Sequence, residues 1–222
     1  MSYVFDFGSI WEYRDYLVNG VLGTIRLTAI GTVCGLVVGI LGAVSRAWKL
    51  PVLAQCFAGY VELIRNTPFI VQLFFVFFGL PSLGVQLTEW QAATLAMIIN
   101  LGAYSTEIIR AGIDAVPRGQ IEAASALAMS RFQIFHHVVL RQSLLKIWPA
   151  LTSQIVIVML GSSVCSQISA EELTFGANFI QSRNFRAFEI YLVATALYFV
   201  LAIVLRRVLV LFGRYVIARR PA

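Results

Sequence analysis

Charges are absent from five long stretches of this chain, residues 27–44, 66–88, 90–106, 147–170 and 190–205, each bounded by Arg, Lys, Glu or Asp. A hydrocarbon layer about 30 Å thick takes roughly 20 apolar residues of helix to cross. With 59% hydrophobic and 13% charged residues distributed in this way, the chain belongs in a bilayer. We expect one all-α membrane domain over residues 1–222, with spans near 20–45, 57–80, 90–110, 147–170 and 188–212. Pro68 and Pro81 should confine the helix of the second charge-free run, and residues 80–84 (LPSLG) read as a tight turn.

Basic residues set the expected orientation. With the N-terminus outside, Arg46, Lys49, Arg65, Arg110, Arg118, Arg131, Arg141, Lys146, Arg206, Arg207, Arg214, Arg219 and Arg220 all fall inside, 13 of the 17 in the chain. Asp6, Glu12, Asp15, Glu89, Glu171, Glu172 and Glu189 collect on the other side. The net charge of +6 is thus accounted for by topology and does not point to nucleic acid. The first residues lack a basic stretch before an apolar core, so no cleavable signal is expected. Cys34, Cys56 and Cys165 lie in or beside apolar segments and read as free thiols.

Gly31, Gly35 and Gly39 recur every four residues and line one face of the first span, a face that admits close backbone approach. Packing within the chain is the preferred account over a subunit interface. Residues 13–28 mix charged and apolar positions and read as an interfacial helix.

The segment between the third and fourth spans, about 113–146, is long for a connector and carries its own helical signals. Residues 120–129 are rich in helix formers and follow Pro117-Arg118-Gly119. Ile121, Ala124, Leu127 and Ala128 keep helical spacing and leave Glu122 on another face. Ser130 reads as the N-cap of a second short helix through Phe132, Phe135, Val138 and Val139. A short amphipathic helix exposed at a membrane face is a docking surface. His136 and His137 are adjacent, which on a helix points them about 100° apart, so no metal site is expected from them.

Residues 119–130 (GQIEAASALAMS) resemble the EAA loop of permeases from the ATP-binding cassette importers: EAA, three residues, Gly, nine residues, then I-x-L-P. Glu122, Ala123, Ala124 and Leu140 match. Ala128, Val138 and Arg141 stand where Gly, Ile and Pro are usual, so Ala128 is expected to alter the turn and Arg141 to remove a break. Residues 62–75 (ELIRNTPFIVQLFF) and 103–120 (AYSTEIIRAGIDAVPRGQ) further resemble the polar amino-acid uptake group of these permeases.

This resemblance implies a type I importer permease fold with five spans, N-terminus out and C-terminus in, in a bacterial inner membrane. It also implies partners: two cytoplasmic ATP-binding subunits, a second permease subunit in a homodimer or, preferred, a sister heterodimer, a periplasmic substrate-binding protein, membrane lipid and, as substrate, a polar or charged L-amino acid. ATP and Mg would be bound by the partner subunit, since this chain holds no GxxxxGK[ST] phosphate cradle and is not expected to be an enzyme. Glu122, Ala123, Ala124, Leu127, Ala128 and Met129 are then the candidate ATPase-coupling residues.

A zwitterion crossing apolar surroundings needs polar partners. Candidates within the spans are Gln72, Asn100, Gln154, Ser162, Ser163, Ser166 and Gln167, although for any single Ser an interhelical hydrogen bond is the preferred role. Arg65, Thr67, Pro68 and Glu107 are candidate gate or conformational residues, and Glu107 with Arg110 could instead form a local pair. In the resembled family, residues 160–164 commonly read Lys-Asp-Thr-Ser-Leu; here Leu160 and Gly161 replace the charged pair, which favours either substrate contacts in a sister permease or a different substrate. An ion-coupled secondary amino-acid carrier is the competing reading, against which stands the lack of an evident inverted repeat or midplane acid.

Overall fold

The computed structural model describes residues 5–48 and 50–217; Lys49, Arg219 and Arg220 of the expected inside charges lie outside them. Helix α1 spans Arg14–Ala47. After it come α2 (Pro51–Arg65) and α3 (Phe69–Phe74), the latter prolonged by a π-turn, Phe75–Gly79, and a 3-10 turn, Leu80–Leu83. Helix α4 is Glu89–Asp114 and α5 is Arg118–Ala126. Helix α6, Arg141–Gly161, is entered through Arg131–Gln133 and π-helical Ile134–Leu140 and left through the 3-10 turn Ser162–Ile168. Leu173–Asn184 forms α7 and Ala187–Phe212 forms α8.

Among the described residues, Arg14–Ala47, Glu89–Asp114, Arg131–Ile168 and Ala187–Tyr215 are long and apolar enough to cross a membrane. A fifth crossing requires Pro51–Arg65 and Phe69–Leu83 together, and these are bent by 113°. The second span is therefore not one helix over 57–80. Pro68 holds the extended backbone conformation (ψ 141°) and cannot donate to the preceding turn, so α3 starts immediately after it. Gly84 at φ 84° closes the far end.

Residues 13–28 do not form a separate interfacial helix; they are the first half of α1. Gly20 and Gly23 let this half lie on the backbone of residues 171–173: a Cβ at Gly23 would sit 2.1 Å from the Glu171 carbonyl oxygen. The glycine stripe further along serves packing within the chain. Gly31 faces Met97, Gly35 faces Leu101 and Gly39 faces Ser105, all on α4. Residues read as an outside loop contain α7, whose buried Leu173, Gly176, Ala177 and Ile180 pack with Leu17 and Ile190. The main core gathers Leu27, Leu73, Met97, Leu101 and Ile155. Cys34 and Cys56 are exposed and Cys165 is buried; all three are free.

Candidate functional site

The break between α2 and α3 leaves the last carbonyls of α2 without helical donors. Side chains from the break itself serve them: Thr67 Oγ1 donates to Leu63 O at 2.9 Å and Gln72 Nε2 to Ile64 O at 2.7 Å, while Asn66 Nδ2 at 2.8 Å joins its own backbone N–H at 3.2 Å on Glu62 O. Gln72 also donates to Thr67 O and Oγ1, both at 3.0 Å, and its Oε1 accepts from Asn100 Nδ2 at 2.9 Å. One buried amide thus ties the bend to the middle of α4 and holds Asn100 by its own amide.

Beside this joint opens a cleft of about 390 Å³, lined by Thr67, Pro68 and Phe69 from the break, Asn100 and Tyr104 from α4, and Gln154, Ile157, Val158 and Gly161 from α6. Of the pathway candidates, Asn100 and Gln154 reach its wall and Gln72 positions Asn100. Thr67 and Pro68 line it, and the Arg65 guanidinium lies 5.6 Å from the centre of the Tyr104 ring, a cation–π contact at its edge. Tyr104 was not singled out in the sequence, although it stands one helical turn from Asn100 and so shares its face. Gly161 also looks into open space: a Cβ there would meet nothing within 4 Å. The position where the resembled family carries an acid is thus a wall of the cleft, bare in this protein.

Ser162, Ser163, Ser166 and Gln167 do not join that cleft. The three hydroxyls turn back on the carbonyls of Met159, Leu160 and Ser163, at 2.7, 2.8 and 2.8 Å, which is the local helix role preferred for lone serines, and Gln167 is exposed. Glu107 is also apart from it. Its carboxylate accepts from Arg46 of α1 at 2.8 Å and from Arg110 one turn along, while Arg110 reaches Asp114 at 2.8 Å. This network clips the end of α1 to α4.

The segment after α4 folds on itself around Val116, Ala124, Ile134 and Val139, with Met129 packed against them. Ala124 and Met129 therefore face the loop's own small core and not outward. Glu122, Ala123 and Leu127 are exposed, Leu127 by 78%. The helix ends as a Schellman motif: Met129 N donates to Ala124 O at 3.3 Å and Ala128 N to Ser125 O at 3.0 Å, with Ala128 at φ 57°. The turn usually made by Gly is kept despite the alanine, at the expense of a left-handed Cβ. Ala128→Gly should accordingly stabilise the protein by about 1 kcal/mol, raising Tm by roughly 2–4 °C for a chain of this size. Thermal unfolding in detergent checks this, and an unchanged or lower Tm would contradict it. Ser130 caps the next segment in a reciprocal pair with Gln133. With Arg141 in place of Pro, the helix runs unbroken from Arg131 to Ile168.

Residues 35–218 match the family described as the inner membrane component of binding-protein-dependent transport systems. The chain belongs to that family. Among relatives of this permease are the glutamine transport system permease protein GlnP of Escherichia coli (strain K12), 31% identical over 92% of this chain and 94% of that one. The L-cystine transport system permease protein TcyB of Bacillus subtilis (strain 168) is 34% identical over 94% and 88%. The fold of the permease is similar to the crystal structure of an amino acid ABC transporter with histidines, at TM-score 0.88 and 34% identity over 96% of this chain and 99% of that one. It also matches the fold of the MetNI methionine ABC transporter at TM-score 0.69 and 20% identity, over 92% and 98%. The protein is the permease subunit of an ATP-binding cassette importer. Among the described residues no group of three or more His, Cys, Asp or Glu side chains is placed to hold a metal.

Proposed function

We propose that this permease forms half of an inner-membrane pathway for a polar amino acid whose side chain carries no net charge. The observation that supports it most is the cleft at the helix break, where Asn100 and Gln154 offer neutral donors and acceptors between apolar walls and no charged side chain is among the lining residues. An amide or similar polar group would find paired hydrogen bonds there. The relatives named for glutamine and cystine transport are consistent with this class. A second permease subunit completes the pathway, a periplasmic binding protein delivers the substrate, and the chain sits with its N-terminus out and its C-terminus in.

Coupling runs through α5. Two cytoplasmic subunits bind ATP and Mg, and each meets a permease at the exposed Glu122, Ala123 and Leu127, with Ala124 and Met129 holding the helix from beneath and Ala128 making the exposed turn that ends it. Glu122 would pair with a basic group of the ATPase. Reversing a docked charge in Glu122→Lys is expected to cut ATP-driven uptake at least about tenfold in proteoliposomes holding permease, ATPase and binding protein, while ATP hydrolysis continues. Full uptake by this variant would overturn the assignment of α5, and uptake driven by an ion gradient without the ATPase would overturn the importer mechanism itself.

A further inference from the structure

A second cleft, of about 300 Å³, opens between α6 and the end of α8, walled by Leu145, Trp148, Thr152 and Val210 and edged by Arg206 and Arg214. Its frame is closely fitted. Trp148 Nε1 donates to Leu209 O at 2.9 Å, and the ring lies so near Gly213 that a Cβ there would be 2.1 Å from the nitrogen. Pro149 within α6 withholds the N–H that the Leu145 carbonyl would otherwise receive. On the same wall, the Thr152 hydroxyl is buried with no hydrogen-bond partner, the residue being 4% exposed. Neither Arg206 nor Arg214 has an ion pair or hydrogen bond among the described residues.

Two unpaired guanidiniums call for an anion with oxygens in guanidinium geometry, and phosphate is the best match. Apolar walls of indole, leucine and valine call for a hydrocarbon attached to it. Both requirements are met by one class of molecule abundant in bilayers, and basic pockets between membrane helices are suited to it. We propose that this cleft binds one anionic phospholipid, its phosphate at Arg206 and Arg214 and an acyl chain along Leu145, Trp148 and Val210. Which leaflet supplies the lipid follows from the orientation proposed above; the site itself does not depend on it.

The test uses the purified transporter complex and native mass spectrometry with phosphatidylglycerol or phosphatidylcholine. One phosphatidylglycerol per permease should survive collisional activation that strips phosphatidylcholine. The paired change Arg206→Gln with Arg214→Gln should lower that retention roughly tenfold, whereas Arg207→Gln, adjacent but outside the cleft, should not. Equal retention of the two lipids in the wild-type complex would overturn the proposal, and this comparison stands even if the double variant fails to assemble. So would an equal loss with Arg207→Gln, which would mark a diffuse basic belt. Inorganic phosphate protecting the complex against heat as well as phosphatidylglycerol does would reduce the site to an anion site and also overturn it.

Discussion

Gly39→Leu is expected to disrupt the protein, lowering its stability by at least about 3 kcal/mol and its Tm by roughly 6–12 °C, with a matching loss of folded yield. A Cβ at this position would lie 2.0 Å from Ser105 Oγ, 2.7 Å from Ser105 Cβ and 3.1 Å from the Ser105 carbonyl carbon. A hydroxyl can rotate away, but the Cβ and the backbone cannot. Ser105 is moreover held by bonds to Leu101 O at 2.7 Å and Gly35 O at 3.3 Å. The only relief is to push α1 off α4, and these helices pack along most of their length, so Gly31 and Gly35 would lose their fit as well. Gly59→Ala supplies the control. Nothing lies within 4 Å of a Cβ there, and it sits inside α2. It should be neutral or stabilising by up to about 1 kcal/mol. Similar melting curves for the Gly39 and Gly59 variants would refute the packing account.

The wild-type protein should lose stability as pH rises from 5.5 to 8, and Glu172→Gln should remove much of that loss. Glu172 is fully buried, with Oε1 accepting from Phe175 N at 2.8 Å and Oε2 from the Tyr198 hydroxyl. Around them lie the neutral hydroxyls of Thr174, bonded to Tyr198 at 2.9 Å, and Thr24, which accepts from Leu173 N at 3.2 Å, and the buried, neutral thiol of Cys165. Burial without a cation pushes the carboxyl up to about 7 from an ordinary 4.5. Between these values the folded protein holds a proton that the unfolded chain has released, so stability falls with rising pH across that window and levels off above it. From pH 5.5 upward the contribution is about 2 kcal/mol, or roughly 4–8 °C in Tm. Comparing wild type with Glu172→Gln at both pH values isolates this group. If the pH response of the variant equals that of wild type, the carboxyl titrates as an ordinary acid.

Part of the cleft's lining was legible for identifiable reasons. Asn100, Gln154 and Gln72 stand out because an amide inside an apolar span needs a partner, and two of them found each other. Ser130 was readable as a cap because it stands just before the apolar run of Phe132, Phe135, Val138 and Val139; that Gln133 reciprocates is a feature of the structure. What could not be read was reach across the chain. Tyr104 shares a face with Asn100, yet its place at the cleft depends on the α2–α3 bend bringing Arg65 beside it. Ser162, Ser163 and Ser166 were candidates by polarity alone, and their hydroxyls bond to carbonyls three residues back instead of across to another helix. Helix α7 was hidden because its apolar residues alternate with polar ones over too short a segment to suggest a span, and Glu172 was placed only among the acids of one membrane side.

Where charges stop and helices must cross, that a helix starts after Pro68, and which helix faces are smooth enough for contact were all determined by the sequence by itself. These properties belong to neighbours within a turn or two, and their spacing is written directly in the residue order. Tertiary structure alone decided that the glycines of α1 meet Ser105 and Met97, that Glu172 is buried under Tyr198, and that Arg206 and Arg214 edge one cleft. Each of these joins residues distant in the chain, and only the way the helices pack against one another brings them into contact.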